Sequence, residues 1–260
     1  VSVAAAGGRS GLAFTTQPVI QIRDVGNNLV QTSPGNSLVV TATLSSGNGT
    51  LIGTTTTTAV NSVATFSNLG ITGSTGNSYT ITYSVTYNST VISTQQSSIS
   101  ITYGDAAKLA ITTQAAGFVN RTDFTTQPVV EIRDSADNKV ANSTANVTIS
   151  IDSGTLTGAN KTVAAINGVA TFAGIGKTGT IGSKTLTFSS GSLATDSQTF
   201  TLTFGAATQV ALTATATLVN DTVMSTQPVA TIQDADGNTV TSGADATQTV
   251  TLTSTNATIS

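Results

Sequence analysis

Asp234, Asp236 and Asn238 fall within one five-residue run, Asp234-Ala235-Asp236-Gly237-Asn238. Alternating oxygen-bearing side chains around a glycine turn are how a loop begins to wrap a calcium ion. A complete loop of that kind needs six to eight oxygens and a bidentate Glu further on. Glu131 is the only Glu in the chain, and it lies far upstream. The corresponding runs elsewhere carry fewer carboxylates: Asp24 with Asn27 and Asn28, and Asp134 with Asp137 and Asn138. A hairpin turn therefore competes with a weak Ca²⁺ site, since Asp and Asn bond their own backbone in tight turns and Gly or Asn accepts positive φ. Ca²⁺ is the one cofactor that these residues bring into question.

Other chemistry is poorly provided for. His and Cys are both absent, which removes the commonest general base and the most reactive nucleophile. Ser and Thr are abundant, but none sits in a Gly-x-Ser-x-Gly elbow. Aromatic residues are 5% of the chain and Trp is absent, leaving little for a stacking platform. The reading is no enzyme and no catalytic residue. Glu131 and Lys139 raise the thought of a self-formed crosslink, which needs an acid beside a buried Lys–amide pair. The aligned positions of Glu131 are Gln21 and Thr231, so the acid is not shared, and a solvent-facing edge residue is the simpler expectation.

These residues sit in a phrase that occurs three times. Thr16-Gln17-Pro18-Val19 runs to Asp24 and Asn28, Thr126-Gln127-Pro128-Val129 to Asp134 and Asn138, and Thr226-Gln227-Pro228-Val229 to Asp234 and Asn238. The copies are about 110 and about 100 residues apart, the length of a small domain. Val60-Asn61-Ser62-Val63-Ala64-Thr65-Phe66 aligns with Ile166-Asn167-Gly168-Val169-Ala170-Thr171-Phe172. The segment Leu69-Gly70-Ile71-Thr72-Gly73 aligns with Ile175-Gly176-Lys177-Thr178-Gly179. Pro lacks a ladder donor and belongs at a strand start or edge. The Gln amide is expected to satisfy a backbone group at the bend between one unit and the next.

Composition sets the class of elements that carry the phrase. Roughly a fifth of the residues are Thr, well above ordinary usage, and only 8% are charged. β-Branched residues suit a pleated, half-buried surface. Thr80–Val85, Val147–Asp152, Thr199–Phe204 and Thr249–Thr253 alternate polar and apolar residues without a break. Period two predicts antiparallel strands with one face in a core. Turns are expected at Gly26-Asn27-Asn28, Ser46-Gly47-Asn48-Gly49 and Asp236-Gly237-Asn238. About seven short strands per hundred residues point to an all-β fold of tandem two-sheet sandwiches.

The boundaries fall at residues 1–104, 105–205 and 206–260. Tyr103-Gly104-Asp105-Ala106-Ala107 and Phe204-Gly205-Ala206-Ala207 lead from a last strand almost directly into the next first strand. Linkers that short predict a stiff rod. Val1 aligns with Ile111, inside a first strand, and Ser260 precedes the counterpart of Val169–Phe172. Two accounts compete for the partial third unit. In one, the sequence is a segment of a longer repeat protein; in the other, strands of a neighbouring subunit complete the unit and build a polymer.

The run Phe124-Thr-Thr-Gln-Pro-Val-Val-Glu-Ile-Arg-Asp134, followed by an Asp-Asn turn and Asn167-Gly-Val-Ala-Thr-Phe172, resembles bacterial immunoglobulin-like repeats. These are the invasin/intimin-type domains of large surface adhesins and envelope proteins. The resemblance extends over two full units and part of a third. It implies immunoglobulin-like sandwiches serving mainly as stalks. Gln233 departs from the pattern, standing where Arg23 and Arg133 stand in the other units.

The functional expectation is an extracellular, cell-surface structural protein: a stalk, a filament or a surface-layer building block. Its partners would be copies of itself or neighbouring repeats. The alternative is an adhesin module for a carbohydrate or receptor, with the longer first unit around Thr72–Asn88 as the candidate surface. A net charge of −3 with scattered Lys and Arg gives no footprint for nucleic acid. No apolar run reaches the roughly 18 residues of a membrane span. Eight Asn-x-Ser/Thr triplets occur, at Asn48, Asn88, Asn120, Asn142, Asn146, Asn160, Asn220 and Asn256. Composition alone gives on the order of five.

Overall fold

The computed structural model describes residues 1–213, 222–224 and 226–253. The architecture is all-β, with sheets stacked as sandwiches and, among the described residues, two short 3-10 turns, Gly35–Ser37 and Ala244–Thr247. Asn220 and Asn256 lie outside the described residues.

The alternating segments form strands as expected where a partner is present. Tyr79–Tyr87 pairs antiparallel with Val39–Ser46 on one side and Thr90–Ile99 on the other, and Thr56–Thr58 completes this four-stranded sheet. In the second sequence repeat Asn146–Ile151 pairs with Gly182–Ser189, flanked by Thr162–Ala164 and Asp196–Leu202. The opposing layers are built from Val19–Gln21 with Val63–Thr65, and from Lys108–Thr113, Val129–Arg133 and Val169–Thr171. Period two puts Ile81, Tyr83 and Val85 on one inner face, and Val147 and Ile149 on the other.

Among the described residues these layers enclose two hydrophobic cores. One gathers Phe14, Ile20, Phe66, Ile71, Tyr79 and Ile81; the other gathers Phe124, Val130, Phe172, Ile175, Phe188 and Leu202. The aligned Phe66 and Phe172 occupy equivalent places, against Tyr83 at 5.7 Å and Phe188 at 5.5 Å between ring centroids. Each such ring contributes about 2–3 kcal/mol of burial.

Thr249–Thr253 departs from expectation. It alternates as cleanly as the others, yet its described residues, Thr249–Thr253, form no strand. Its counterpart Asn146–Ile151 is held by a strand on either side, and among the described residues no such strands flank Thr249–Thr253. A strand's backbone groups need a ladder partner, and alternation does not supply one.

Candidate functional site

The three Asp-to-Asn turns share one local design. Asp24, Asp134 and Asp234 each donate their backbone N–H to the carbonyl of the Asn four residues on, at 2.9 Å. One carboxylate oxygen of each accepts that Asn's backbone N–H, at 2.9, 2.9 and 3.0 Å. The residue before the Asn is left-handed in all three: Asn27 at φ 65°, Asp137 at 68° and Gly237 at 78°. Asn, Asp and Gly are the types that tolerate this region, which explains their interchange. The turn expected from sequence is therefore present three times.

Two of the turns do more than close a hairpin. Asp134 is 1% exposed, and its Oδ2 accepts the Gly104 N–H at 2.7 Å and the Asn138 amide at 2.9 Å. The Asn138 side chain reaches back into the first repeat, donating to the Gly73 carbonyl at 2.9 Å and accepting the Thr75 N–H at 2.7 Å. Asp234 and Asn238 repeat this contact on the second repeat. Asp234 Oδ2 accepts the Gly205 N–H at 2.9 Å, and Asn238 bridges the Gly179 carbonyl and the Ile181 N–H, both at 3.0 Å.

The glycines are required by the approach. A Cβ on Gly104 would lie 2.2 Å from the Ser10 carbonyl oxygen, and one on Gly205 would lie 2.6 Å from that of Asn120. Either distance is far inside contact range, so each position must lack a side chain to offer its N–H. Their recurrence was visible in the sequence; their purpose was not.

The second contact carries an extra layer. Asn120, 1% exposed, donates its amide to Asp234 Oδ2 and to Asp236 Oδ2, both at 2.8 Å, and accepts the Gly179 N–H at 3.0 Å. Arg121 grips Asp236 with two bonds, Nε at 2.9 Å and a terminal nitrogen at 2.7 Å. Burial alone would raise the Asp234 carboxyl. The N–H donors of Gly205, the Asn238 side chain, Asn120 and the Asn238 backbone outweigh it and hold it well below the usual range. Asp236 is drawn down to about 2, first by the Arg121 hydrogen bond, against burial, with Asn120 and the Gly179 N–H adding to it.

Asp234, Asp236 and Asn238, the metal candidates, are thus brought together, but around N–H donors and a guanidinium. A cation there would have to displace those donors and sit beside Arg121. The corresponding Asp24 turn faces solvent: Asp24, Val25, Gly26, Asn27 and Asn28 are all exposed.

Three expectations need correction. The Gln of the repeated phrase does not work at the bend between repeats. Gln17 donates to the Phe14 and Leu69 carbonyls at 2.8 and 3.0 Å and accepts the Leu69 N–H at 2.9 Å. Gln127 does the same with Phe124 and Ile175, at 2.8, 2.9 and 2.9 Å. Each amide clamps two segments of one sandwich. Glu131 is not an edge residue: it lies on the middle strand of its sheet, between Ala110 and Val169, partly buried and taking Arg133 at 2.9 and 3.0 Å, while Lys139 is exposed. The triplet at Asn120 is closed to glycosylation, because that amide is buried in the contact. Asn48, Asn88, Asn142, Asn146 and Asn160 are exposed.

The buried lysine is instead Lys177, fully inaccessible at the position of Ile71 and donating to the Thr178 carbonyl at 3.0 Å. Burial pushes its ammonium group down from the ordinary lysine value. Its alignment with an apolar core residue was the available sequence signal.

No protein-family model matches the chain, and no curated relative does. Among solved structures it is similar to a β-glycosidase from Bacteroides vulgatus, with 9% identity, a TM-score of 0.32, and 66% of this chain against 24% of that one covered. It is also similar to a β-glucuronidase from Parabacteroides merdae, with 14% identity, a TM-score of 0.30, and 64% against 21% covered. A glycosyl hydrolase family 2 member from Bacteroides cellulosilyticus shows 11% identity, a TM-score of 0.31, and 71% against 28% covered. The chain spans about a quarter of the length of these solved chains, and likeness at such TM-scores carries no argument about activity.

Proposed function

We propose that this chain is a non-catalytic structural array of immunoglobulin-like sandwiches, divided at residues 1–104, 105–205 and 206–260, that works outside the cell. It belongs by this reading to a stalk, filament or surface layer, in the manner of the invasin/intimin-type repeats that its sequence resembles. The observation that carries the proposal is the repeated contact: Asp134 with Asn138, and Asp234 with Asn238, each bind a glycine N–H and two backbone groups of the preceding repeat. Such bonds fix the angle between units as well as their spacing. A fixed angle repeated along a chain gives a rod that transmits load and holds its far end at a set distance. The low-charge, Thr-rich surface supports the same role by limiting nonspecific ionic binding.

Electron microscopy of native material tests the reading. Regular filaments or straight stalks with one subunit repeat are expected, and compact particles without periodic extension would refute it.

A second reading, an adhesive module, is favoured by one feature of the first repeat. The hairpin Tyr79–Tyr87 and Thr90–Ile99 turns at Asn88-Ser89 and carries Tyr87, Val91 and Ile92 exposed near its tip. The second repeat has shorter strands there, Gly182–Ser189 and Asp196–Leu202. A glycan or receptor that protects the tip from exchange would favour adhesion.

A further inference from the structure

Arg121 holds a backbone conformation that its side chain does not favour. Its φ is 64°, in the left-handed region, where Gly11 stands at 76° in the first repeat. The two positions are otherwise alike: Gly11 donates its N–H to the Ile71 carbonyl at 3.0 Å, and Arg121 donates its own to the Lys177 carbonyl at 2.8 Å. Glycine takes up this conformation without strain, and a residue with a Cβ does not. Strain kept where glycine would serve points to a use for the side chain.

That use lies across the contact. Nε and a terminal nitrogen of Arg121 take Asp236 Oδ2 and Oδ1 at 2.9 and 2.7 Å, the forked geometry that orients a carboxylate as well as binding it. Asn120 and the Gly179 N–H bring further donors to the same Oδ2, at 2.8 and 3.1 Å. Asp236 belongs to a turn whose backbone is that of the first contact. Its N–H goes to Asp234 Oδ1 at 2.9 Å, as the Ala136 N–H goes to Asp134 Oδ1 at 2.9 Å. The difference between the two turns therefore lies in the side chain.

The first contact is built for a different neighbour. Gly11 leaves space toward the next repeat, where an added Cβ would come no nearer than 3.9 Å, to Ser135 Oγ and Thr72 Oγ1. Its ion pair is Arg9 with Asp105 at 2.7 Å, both more exposed than Asp236. The aligned positions in the second contact are Val119 and Ala206. Exchanging neighbours would therefore leave charges without partners. Asp236 would meet Ser10-Gly11, with no guanidinium and no amide, and Arg121 would meet Ala136 with its strain uncompensated. Unpaired charge at a contact is how a specific interface rejects a wrong partner. Tandem repeats of like sequence are chains prone to docking out of order.

We propose that Asn120-Arg121 is a recognition element of the second repeat, and that it selects as neighbour a repeat whose turn reads Asp-x-Asp-x-Asn. Arg9 and Ser10-Gly11 select instead a repeat with an uncharged residue at the middle position and Asp after the junction glycine. The shared Asp, Asn and Gly allow any two repeats to dock, and the private residues decide which two do. The inference rests on the proposed array and deepens it by ordering its units. Its test does not depend on filaments or stalks being seen.

Amide exchange in the full chain tests it, with the Thr75 N–H reporting the first contact and the Ile181 N–H the second. Arg121→Gly removes the strain together with the side chain, so a residue serving the local turn alone would leave Ile181 as protected as before or more so. The expected result is exchange at Ile181 faster by about tenfold or more, with Val129–Arg133 unchanged. Asp236→Ala should give a similar loss, and the two changes together little more, since they remove one shared interaction. At the first contact Ala136→Asp should speed exchange at Thr75 several-fold, and adding Ser10→Asn with Gly11→Arg should restore it. Unaltered Ile181 exchange in Arg121→Gly, or additive losses in the double variant, would overturn the proposal. So would a triple variant no better protected at Thr75 than Ala136→Asp alone.

Discussion

The contact around Asp134 and the contact around Asp234 use the same carboxylate, the same amide and the same glycine, yet their surroundings differ. At the first, the position two past the Asp is Ala136, and the first repeat offers Ser10, whose hydroxyl donates to the Gly73 carbonyl at 2.9 Å and accepts the Gly73 N–H at 3.2 Å. At the second, Asp236 stands where Ala136 does and meets Asn120 and Arg121. Ser10, at the position of Asn120, bonds only within the first repeat, whereas Asn120 and Arg121 reach across to Asp236. The shared set gives the contact its geometry. Each contact has an ion pair, Arg9 with Asp105 at the first and Arg121 with Asp236 at the second, both at 2.7 Å. The carboxylate of the second is far less exposed and is also bonded by Asn120, which makes that contact the more strongly held.

Alanine substitutions should separate the three turns most sharply. Asp234→Ala strands the Gly205 N–H and the Asn120 and Asn238 amides, and is expected to cost about 3–5 kcal/mol, since unsatisfied buried donors carry roughly 1–3 kcal/mol each without being fully additive. Asp134→Ala strands fewer donors and should cost about 2–4 kcal/mol on the same basis. Asp24→Ala, at the exposed turn, should leave the melting temperature essentially unchanged. Denaturant titration of the three variants checks the order, and equal losses at all three would show that the effect is turn closure rather than contact between repeats.

Adding a methyl group at the glycines probes the approach itself. Gly104→Ala and Gly205→Ala should each cost about 1–3 kcal/mol through forced backbone displacement. Gly104 should suffer more, given its 2.2 Å clearance against 2.6 Å. Amide exchange at Thr75 and Ile181 reports each contact separately.

Acid should distinguish the contacts next. Asp234 and Asp236 both titrate below the roughly 3.9 of an unfolded Asp, so the folded state binds fewer protons. Their stabilisation is complete above about pH 4 and is lost as pH falls toward the folded value, about 2 for Asp236. Asp236→Asn should remove the part of that loss which belongs to Asp236. Small-angle scattering between pH 5 and pH 2 would detect the loosening.

The smallest effect is expected from metal removal. The carboxylate oxygens of Asp234 and Asp236 are met by N–H donors, so a chelator should leave the melting temperature unmoved. A drop of several degrees, restored by Ca²⁺, would return the calcium reading.

Much of the fold was legible because alternation is a property of neighbouring residues. Thr80–Val85 and Val147–Asp152 declare which side chains enter a core before any partner is known. The turns were equally legible, since Asp24, Asp134 and Asp234 bond their own backbones four residues away. What lay across the contact was not. Asn120 and Asp234 are separated by 114 positions, and nothing local to Asn120-Arg121-Thr122 distinguishes a buried amide from a glycosylation triplet. The role of Gln127 is hidden for the same reason, since its partner Ile175 is 48 residues away.

By itself the sequence determined the period of the repeats, their strand class and the left-handed position in each turn, because those follow from side-chain chemistry within a few residues. The tertiary structure alone decided which turns are buried and which face solvent. Asp24 and Asp234 have the same local chemistry, and only the backbone donors that another repeat brings to Asp234 make it part of a contact. Thr249–Thr253 teaches the same point from the other side: its pattern is complete, yet among the described residues it has no flanking strand and forms no ladder.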